Sequence, residues 1–218
     1  IGGHGNSIAG IVAESRNFNW DCGRFPYFTE NCSSYHGLNF RQTFGNKTFS
    51  ARARALGLRD WGCCLSPFNA LLILQGIETL SLRMQRAMDN ALELARWLEK
   101  QQQVAHVSYP GLKMHPSYPH VKKYFKNGAG AVLSFTLKGD RSTTAQFVER
   151  LQLITHLTNV GDNKTLITHP ASTTHGQLTD KELEKAGIGP GTLRLSAGIE
   201  HIDDLKKDLS ESLTKCTR

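Results

Sequence analysis

One arginine near the end of the chain has the sequence setting of a binding residue. Arg194 lies in the alternating run Leu193-Arg194-Leu195-Ser196, where a β-strand would bury the leucines on one face and turn the guanidinium to the other. A planar cation with parallel donors suits a carboxylate or a phosphate group. An ordinary arginine on a sheet edge has the same pattern, so this stretch leaves both interpretations open.

The residues that follow Arg194 predict a rigid support for it. Gly198 ends the strand, and a helix with one apolar face follows. The apolar positions recur at helical spacing, at Leu205, Leu209 and Leu213. Acidic residues occupy the first turn of this helix and basic residues its end, which the helix dipole favours. Arg194 is therefore expected on a strand-turn-helix unit.

Two polar runs upstream are further candidates for a binding site. They are the run from Thr158 to Asp162, which contains Asn159, and the run from Thr168 to His175, which contains Thr174. Short polar side chains and exposed amides at the end of a strand can receive an anion. Ordinary turns have the same composition, and that alternative stays open.

The composition of the 218 residues is that of a globular protein, with 39% hydrophobic and 21% charged residues. The net charge of +7 is spread along the chain, so a nucleic-acid surface is not indicated. No segment reaches the roughly 18 apolar residues of a membrane span. The five cysteines form no CxxC pair and the histidines lack metal-ligand spacing, which favours free thiols and no metal site. These cysteines are Cys22, Cys32, Cys63, Cys64 and Cys216.

The first third of the chain predicts few regular elements. A buried strand is expected at Ile8–Ala13 after a glycine-rich start. The aromatic stretch 16–49 lacks periodicity, which indicates an ordered insertion or a substrate-facing loop. A structural flap packed on the surface would have the same composition, and that alternative stays open. A helix is expected over 47–60, and Cys63 and Cys64 are expected to be buried and inert.

The remaining elements alternate between helix and strand. Ser66 and Pro67 predict a helix start, with Leu71, Leu72, Leu74 and Ile77 on its buried side. A long helix over 78–103 is expected to have one buried side, which consists of Leu82, Ala91, Leu94, Ala95 and Leu98. Strands at 104–109, 131–137 and 153–157, with a helix at 142–151, predict an α/β sandwich.

The run from Leu193 to Leu205 resembles the C-terminal signature of the pyridoxal-phosphate enzymes of cysteine and methionine metabolism. This family contains the cystathionine synthases and lyases, methionine γ-lyase and the O-acetylhomoserine sulfhydrylases. The resemblance implies that Arg194 binds the α-carboxylate of an amino-acid substrate. It also implies that Asn159 lies beside that carboxylate and that the loop carrying Thr174 closes the pocket wall.

The start of the chain resembles the same family. Ile1-Gly2-Gly3-His4-Gly5 is similar to the segment that follows the cofactor lysine, which is then expected two positions before Ile1. On this resemblance the sequence is the C-terminal part of a longer protein. No catalytic lysine and no other residue that binds pyridoxal 5'-phosphate is assigned within these 218 residues.

The implied fold is α/β, the C-terminal part of a fold-type I enzyme of the aspartate aminotransferase kind. Residues 1–76 would form the end of the large cofactor-binding domain, with an aromatic-rich insertion. Residues 77–218 would form the linking helix and the smaller domain that binds the substrate carboxylate. The family builds its sites across subunits, so a homodimer or homotetramer is expected, together with the missing N-terminal part.

Within the family, Phe25–Glu30 and Ser34–Leu38 resemble an insertion of the sulfhydrylases that is largely absent from the lyases. The implied reaction is a pyridoxal-phosphate-dependent γ-replacement in the cytoplasm. It makes homocysteine or cysteine from O-acetylhomoserine or O-acetylserine and sulfide, releases acetate and serves methionine and cysteine biosynthesis. Two alternatives stay open: a cystathionine γ-synthase or γ-lyase, and a catalytically silent polypeptide that assembles with an intact subunit.

Overall fold

The computed structural model describes residues 1–215, without the side chain of Asp180. The chain divides into two compact units. One consists of residues 8–71, and the other combines Ile1–Ser7 with the chain from Leu72 onward. The domain boundary that the sequence predicts near residue 76 refers to the domains of a longer protein, and it stays a prediction.

The unit of residues 8–71 is built from short elements. They are α1 Pro26–Thr29, β1 Asn31–Cys32, β2 Leu38–Asn39, α2 Phe40–Phe44, α3 Thr48–Arg52, a π-helical segment Ala53–Leu58 and α4 Arg59–Trp61. The predicted helix over 47–60 is confirmed by the run from α3 to α4. The predicted buried strand at Ile8–Ala13 is wrong, because this segment has no regular structure and Ile8 is 90% exposed.

Aromatic side chains form the centre of this unit. Trp20 is buried, with ring centroids of neighbouring aromatic residues 4.5–6.2 Å away. These neighbours are Phe18, Phe25, Phe28 and Phe49. The Glu14 carboxylate accepts hydrogen bonds from the backbone N–H groups of Phe49 (2.8 Å) and Ser50 (3.1 Å) at the start of α3. The aromatic stretch is thus an ordered segment.

Helix α5, Pro67–Glu78, begins where the sequence predicts it, because Ser66 Oγ accepts the Asn69 N–H at 3.1 Å. Its predicted buried side is wrong for three of the four residues, and the fourth, Leu72, is half-buried. Leu71, Leu74 and Ile77 are between 48% and 61% exposed. Cys63 and Cys64 are also exposed rather than buried. Helical periodicity identifies an apolar face but contains no information about what covers it.

The other unit holds a five-stranded sheet. Its elements are α6 Leu80–Leu98, β3 Val104–Ser108, α7 Tyr118–Tyr124, β4 Val132–Leu137, α8 Arg141–Glu149, β5 Thr155–His156, β6 Leu166–Thr168, α9 Asp180–Lys185, β7 Thr192–Ser196 and α10 Ile202–Lys215. The strand order is β3-β4-β7-β6-β5, and β5 and β6 are its parallel pair. The predicted α/β alternation is confirmed.

Helices α6, α8 and α10 contact one another or the sheet around the main core. The predicted apolar face of α10 is confirmed, since Leu205, Leu209 and Leu213 are at most 2% exposed. On α6, Leu98 is buried as expected, whereas Leu82 is 72% exposed and its prediction is wrong. Among residues 1–215, no helix has the length and apolar content to cross a membrane.

Candidate functional site

Strand β7 has one apolar and one polar face. Leu193 and Leu195 are fully buried in the core, so Arg194 and Ser196 point to the opposite side of the sheet. Directly opposite residues of neighbouring strands share a face, and Arg194 lies between Ser134 of β4 and Thr168 of β6. The arginine therefore emerges among hydroxyl side chains on the face that turns away from the core.

The guanidinium of Arg194 is available to a ligand. The residue is half-buried, and within residues 1–215 its side chain makes no ion pair and no hydrogen bond. A guanidinium carries five N–H donors in a planar fork that can bind both oxygens of a carboxylate. Its position on the central strand of the sheet limits its motion. This unpaired, half-buried cation is the strongest candidate for a binding residue in the described chain.

The loop that contains Asn159 crosses the Arg194 face. Because β5 and β6 are parallel, the chain between them must return across the sheet. On the way, the Gly161 N–H donates to Ser196 Oγ at 3.1 Å. Asn159 lies two residues before this contact, and its Oδ1 accepts the Val160 N–H at 2.9 Å. The structure therefore brings Asn159 to the same sheet face as Arg194.

Thr174 is exposed, and its position relative to Arg194 stays a prediction. Its hydroxyl is hydrogen-bonded to His175 Nδ1 at 2.8 Å. Among the described residues, no hydrogen bond joins Thr174 to Arg194 or to Asn159. The structure thus unites two of the three predicted substrate-binding residues on one face and leaves the third in a neighbouring loop.

The loop that carries Thr174 is anchored by a buried histidine. His169 Nε2 donates to the Pro190 carbonyl and His169 Nδ1 accepts from the Ser172 hydroxyl, both at 2.8 Å. Arg141 Nη2 also donates to the Ala171 carbonyl. Burial lowers the pKa of His169, and the nearby Arg141 cation acts in the same direction. A neutral imidazole therefore holds this loop.

The turn after β7 is fixed by two residues that the sequence reasoning missed. Asn90 Nδ2 donates to the carbonyls of Gly198 and Glu200, both at 2.9 Å. The Glu200 carboxylate accepts the Thr165 N–H at 2.6 Å and the Thr165 hydroxyl at 2.7 Å. Asn90 is a polar residue on the buried face of α6. A polar residue at a position of the apolar face is the sequence signal that could have identified it.

The glycine-rich start of the chain packs against the loop that contains Asn159. The Gly3 carbonyl accepts the Asn163 N–H at 2.8 Å, and the Asn163 carbonyl accepts the Ile199 N–H at 2.9 Å. Gly3 has φ +80°, in the region that favours glycine. Asn163 thus connects the N-terminal segment to the turn that follows the Arg194 strand.

Comparison with known proteins identifies the family. The chain belongs to the Cys/Met metabolism PLP-dependent enzyme family, whose profile matches residues 1–214. It is 51% identical over 213 residues to O-acetyl-L-homoserine sulfhydrylase 1 of Thermus thermophilus, covering 98% of this chain and 51% of that protein. It is 49% identical over 215 residues to the homocysteine synthase of Schizosaccharomyces pombe, covering 98% of this chain and 50% of the relative. The chain therefore spans about half the length of these relatives.

Solved structures give the same result for the fold. An enzyme from Campylobacter jejuni, named as an O-acetylhomoserine (thiol)-lyase and containing a pyridoxyl-lysine phosphate, superposes with a TM-score of 0.81 at 42% identity. The match covers 88% of this chain and 45% of the other. A cystathionine gamma synthase from Xanthomonas oryzae gives a TM-score of 0.69 at 37% identity, covering 78% and 43%. The predicted fold class is confirmed by these neighbours.

The described residues fit the substrate side of a pyridoxal-phosphate site. Arg194 offers a fork for a carboxylate on a polar sheet face, and Asn159 lies over the same face. The glycine-rich segment 1–5 is fixed by backbone hydrogen bonds to that loop. Among residues 1–215, no group of three His, Cys, Asp or Glu side chains could hold a metal ion.

Proposed function

We propose that the protein containing this chain catalyses a γ-replacement that makes homocysteine from O-acetylhomoserine and sulfide, with release of acetate. The observation that supports this most directly is the unpaired guanidinium of Arg194 on the polar face of the central strand. Two of the most similar relatives are named for this sulfhydrylation or its product. O-acetylserine as a second substrate, giving cysteine, is part of the same proposal and accords with a homocysteine/cysteine synthase among the relatives.

Arg194 binds the α-carboxylate of the substrate through two parallel N–H donors. The amide of Asn159 contributes a further donor to the same group from the loop above the strand. Two contacts from different elements fix the rotation of the substrate about its Cα, so that the bond to be broken has one orientation. When bound, pyridoxal 5'-phosphate supplies the electron sink for the charge that develops at the substrate carbon.

The loop from His169 to His175 forms the wall of the pocket in this proposal. Thr174 lies near the end of that loop, and the buried His169 fixes the beginning. A wall on this side excludes water from the bound carboxylate, which strengthens its interaction with Arg194. Thr174 then supplies a hydroxyl at the edge of the pocket.

The apolar face of α5 supports assembly with further polypeptide. Phe68 and Leu74 are exposed by 68% and 61%, next to the similarly exposed Leu71 and Ile77. Contiguous exposed apolar residues mark an interaction surface. We propose that the N-terminal part of the protein, or a second copy in a homodimer or homotetramer, covers this face.

The unpaired thiols of Cys22, Cys32, Cys63 and Cys64 accord with a reducing compartment such as the cytoplasm.

The experiment is a product assay on the purified full-length protein. O-acetylhomoserine and sulfide should give homocysteine and acetate in equal amounts. Replacing sulfide by cysteine should give little cystathionine, and replacing O-acetylhomoserine by O-acetylserine or O-succinylhomoserine should define the preferred substrate. Absence of homocysteine under these conditions would refute the proposal.

A cystathionine γ-synthase is the second candidate, because one solved neighbour has that activity in its name. It would form cystathionine from cysteine faster than homocysteine from sulfide in the same assay. A silent assembly partner would show neither product and no visible absorbance of bound cofactor. The ratio of the two products thus separates the two enzyme candidates, and the absence of both products identifies the silent partner.

A further inference from the structure

The N-terminal segment is held by the side chain of Arg83, which does not belong to the site described above. Arg83, in the first turn of α6, donates from Nη2 to the Ile1 carbonyl at 2.6 Å and to the Gly76 carbonyl at 2.5 Å. Its Nε donates to Thr79 Oγ1 at 3.1 Å. One half-buried guanidinium thus connects the start of the chain to the end of α5 and the start of α6.

Gly76 allows this arrangement because it lacks a side chain. It is the buried residue of α5, and a Cβ built on it would lie 2.7 Å from both Gly2 Cα and Gly2 O. Real Cβ atoms do not approach other atoms so closely, so any other residue would displace the segment. A glycine inside a helix costs about 1 kcal/mol of helix stability relative to alanine. The close backbone contact is the physical reason for a glycine here.

The same segment is fixed on its other side by Asn163. Asn163 binds the Gly3 carbonyl through its N–H (2.8 Å), and its side-chain Nδ2 lies 3.2 Å from His4 Nε2. The amide can only donate through Nδ2, so His4 Nε2 accepts and His4 Nδ1 donates to the Gly2 carbonyl at 2.9 Å. The segment is therefore held between Arg83 on the helices and Asn163 beside the Arg194 strand.

We propose that Arg83 is a positioning residue, which fixes the segment that follows the cofactor lysine relative to the substrate-binding Arg194. This inference rests on the proposed function and on the family resemblance of residues 1–5, which implies a cofactor lysine two positions before Ile1. Two residues of extended chain reach at most about 7 Å, so fixing the Ile1 carbonyl restricts the lysine backbone. The connection from Arg83 to Asn163 and Ile199 then sets the distance between the lysine and the carboxylate-binding arginine.

The test uses Arg83→Gln in the full-length protein with two measurements. We expect kcat to fall by about 100-fold with KM for O-acetylhomoserine little changed, since a misplaced reacting group costs rate rather than binding. Hydrogen–deuterium exchange of the peptide covering residues 1–7 should become about tenfold faster, because the segment loses an anchor. The second measurement does not depend on catalysis or on bound cofactor.

Arg83→Lys should restore part of both properties, because a lysine keeps the charge but reaches one carbonyl instead of two. Arg86→Gln is the matched control, since Arg86 is exposed on the same helix and its side chain makes no hydrogen bond to any described residue. It should change neither kcat nor the exchange rate.

Gly76→Ala gives an independent test that leaves Arg83 intact. Alanine favours the helix, so helix propensity alone predicts a more stable protein with unchanged kcat. The positioning role predicts a lower kcat and faster exchange in residues 1–7. This variant and Arg83→Lys decide the matter if Arg83→Gln fails to fold.

If the folded Arg83 and Gly76 variants have the kcat of the wild type and the wild-type hydrogen exchange in residues 1–7, the positioning role of Arg83 is refuted. The proposed function is not affected by that result. A wild-type protein that forms no homocysteine would refute the proposed function instead. In that case unchanged exchange of residues 1–7 in the Arg83 variants would refute the positioning role as well.

Discussion

Ser196 Oγ accepts the backbone N–H of Gly161 at 3.1 Å, which fixes the loop of Asn159 over the sheet face from which Arg194 emerges. Ser196 is two residues after Arg194 on the same strand and is 1% exposed. This buried hydroxyl is thus one of the groups that hold the Asn159 loop beside the candidate binding arginine. We expect the relative position of the two predicted substrate-binding residues, Arg194 and Asn159, to depend on this hydrogen bond.

Replacing this hydroxyl should weaken both folding and substrate binding. In Ser196→Ala the Gly161 N–H loses its acceptor, and we expect a loss of about 1 kcal/mol in the free energy of unfolding. KM for O-acetylhomoserine should rise because the Asn159 loop becomes more mobile. Urea unfolding and initial-rate kinetics measure the two effects, with the exposed Ser210→Ala as control. An unchanged KM would show that this loop does not contribute to substrate binding.

Arg194→Lys should raise KM for O-acetylhomoserine by about 10- to 100-fold, because a lysine cannot form two parallel hydrogen bonds to a carboxylate. The fall in kcat should be smaller than the change in KM. Steady-state kinetics of the full-length enzyme measure both constants. Arg96→Lys, at an exposed position on α6, is the control with the same chemical change. If the Arg194→Lys variant has the KM of the wild type, this arginine does not bind the substrate.

Asn90→Ala should destabilise the turn that follows β7. The variant removes the shared side-chain donor of the Gly198 and Glu200 carbonyls, and Asn90 itself is 3% exposed. Leaving one buried and one partly buried acceptor without this donor should cost about 2–3 kcal/mol in the free energy of unfolding. Chemical denaturation measures the loss. Asn127→Ala, at an exposed loop position, should be neutral, and equal stability of the two variants would contradict the assigned role.

His169 predicts a pH dependence of stability. Burial lowers its pKa below the ordinary value of 6.5, and Arg141 and His156 lower it further, against the effect of the hydrogen bond to Pro190. Because the unfolded chain binds the proton more readily, the stabilisation from neutral His169 is fully present above pH 6.5. It is lost as the pH falls from there towards the lowered pKa.

This pH dependence can be measured by urea unfolding between about pH 7.5 and 5. His169→Gln should reduce the slope of unfolding free energy against pH over this range. His106→Gln, which changes an exposed histidine, should keep the wild-type slope. An identical slope in wild type and His169→Gln would show that this imidazole titrates normally.

The helices and strands of the sheet unit could be predicted because their signals are local. Alternation of Leu193, Arg194 and Leu195 in β7 places the arginine on the polar face, as observed. The spacing of the α10 leucines likewise identifies its buried face. Side-chain periodicity follows from backbone geometry alone, so the order of residues is sufficient for both elements.

The tertiary structure decided which elements meet. The sequence determined a family signature, a strand with Arg194 and a helix behind it, but the partners of Arg83, Asn90 and Ser196 lie far away along the chain. Asn90 and Gly198 are 108 positions apart, and Arg83 and Ile1 are 82 apart. The expected burial of Leu74 and Leu82 was wrong for the same reason. Periodicity is a property of one segment, whereas burial and hydrogen bonding depend on which second segment the folded chain brings to it.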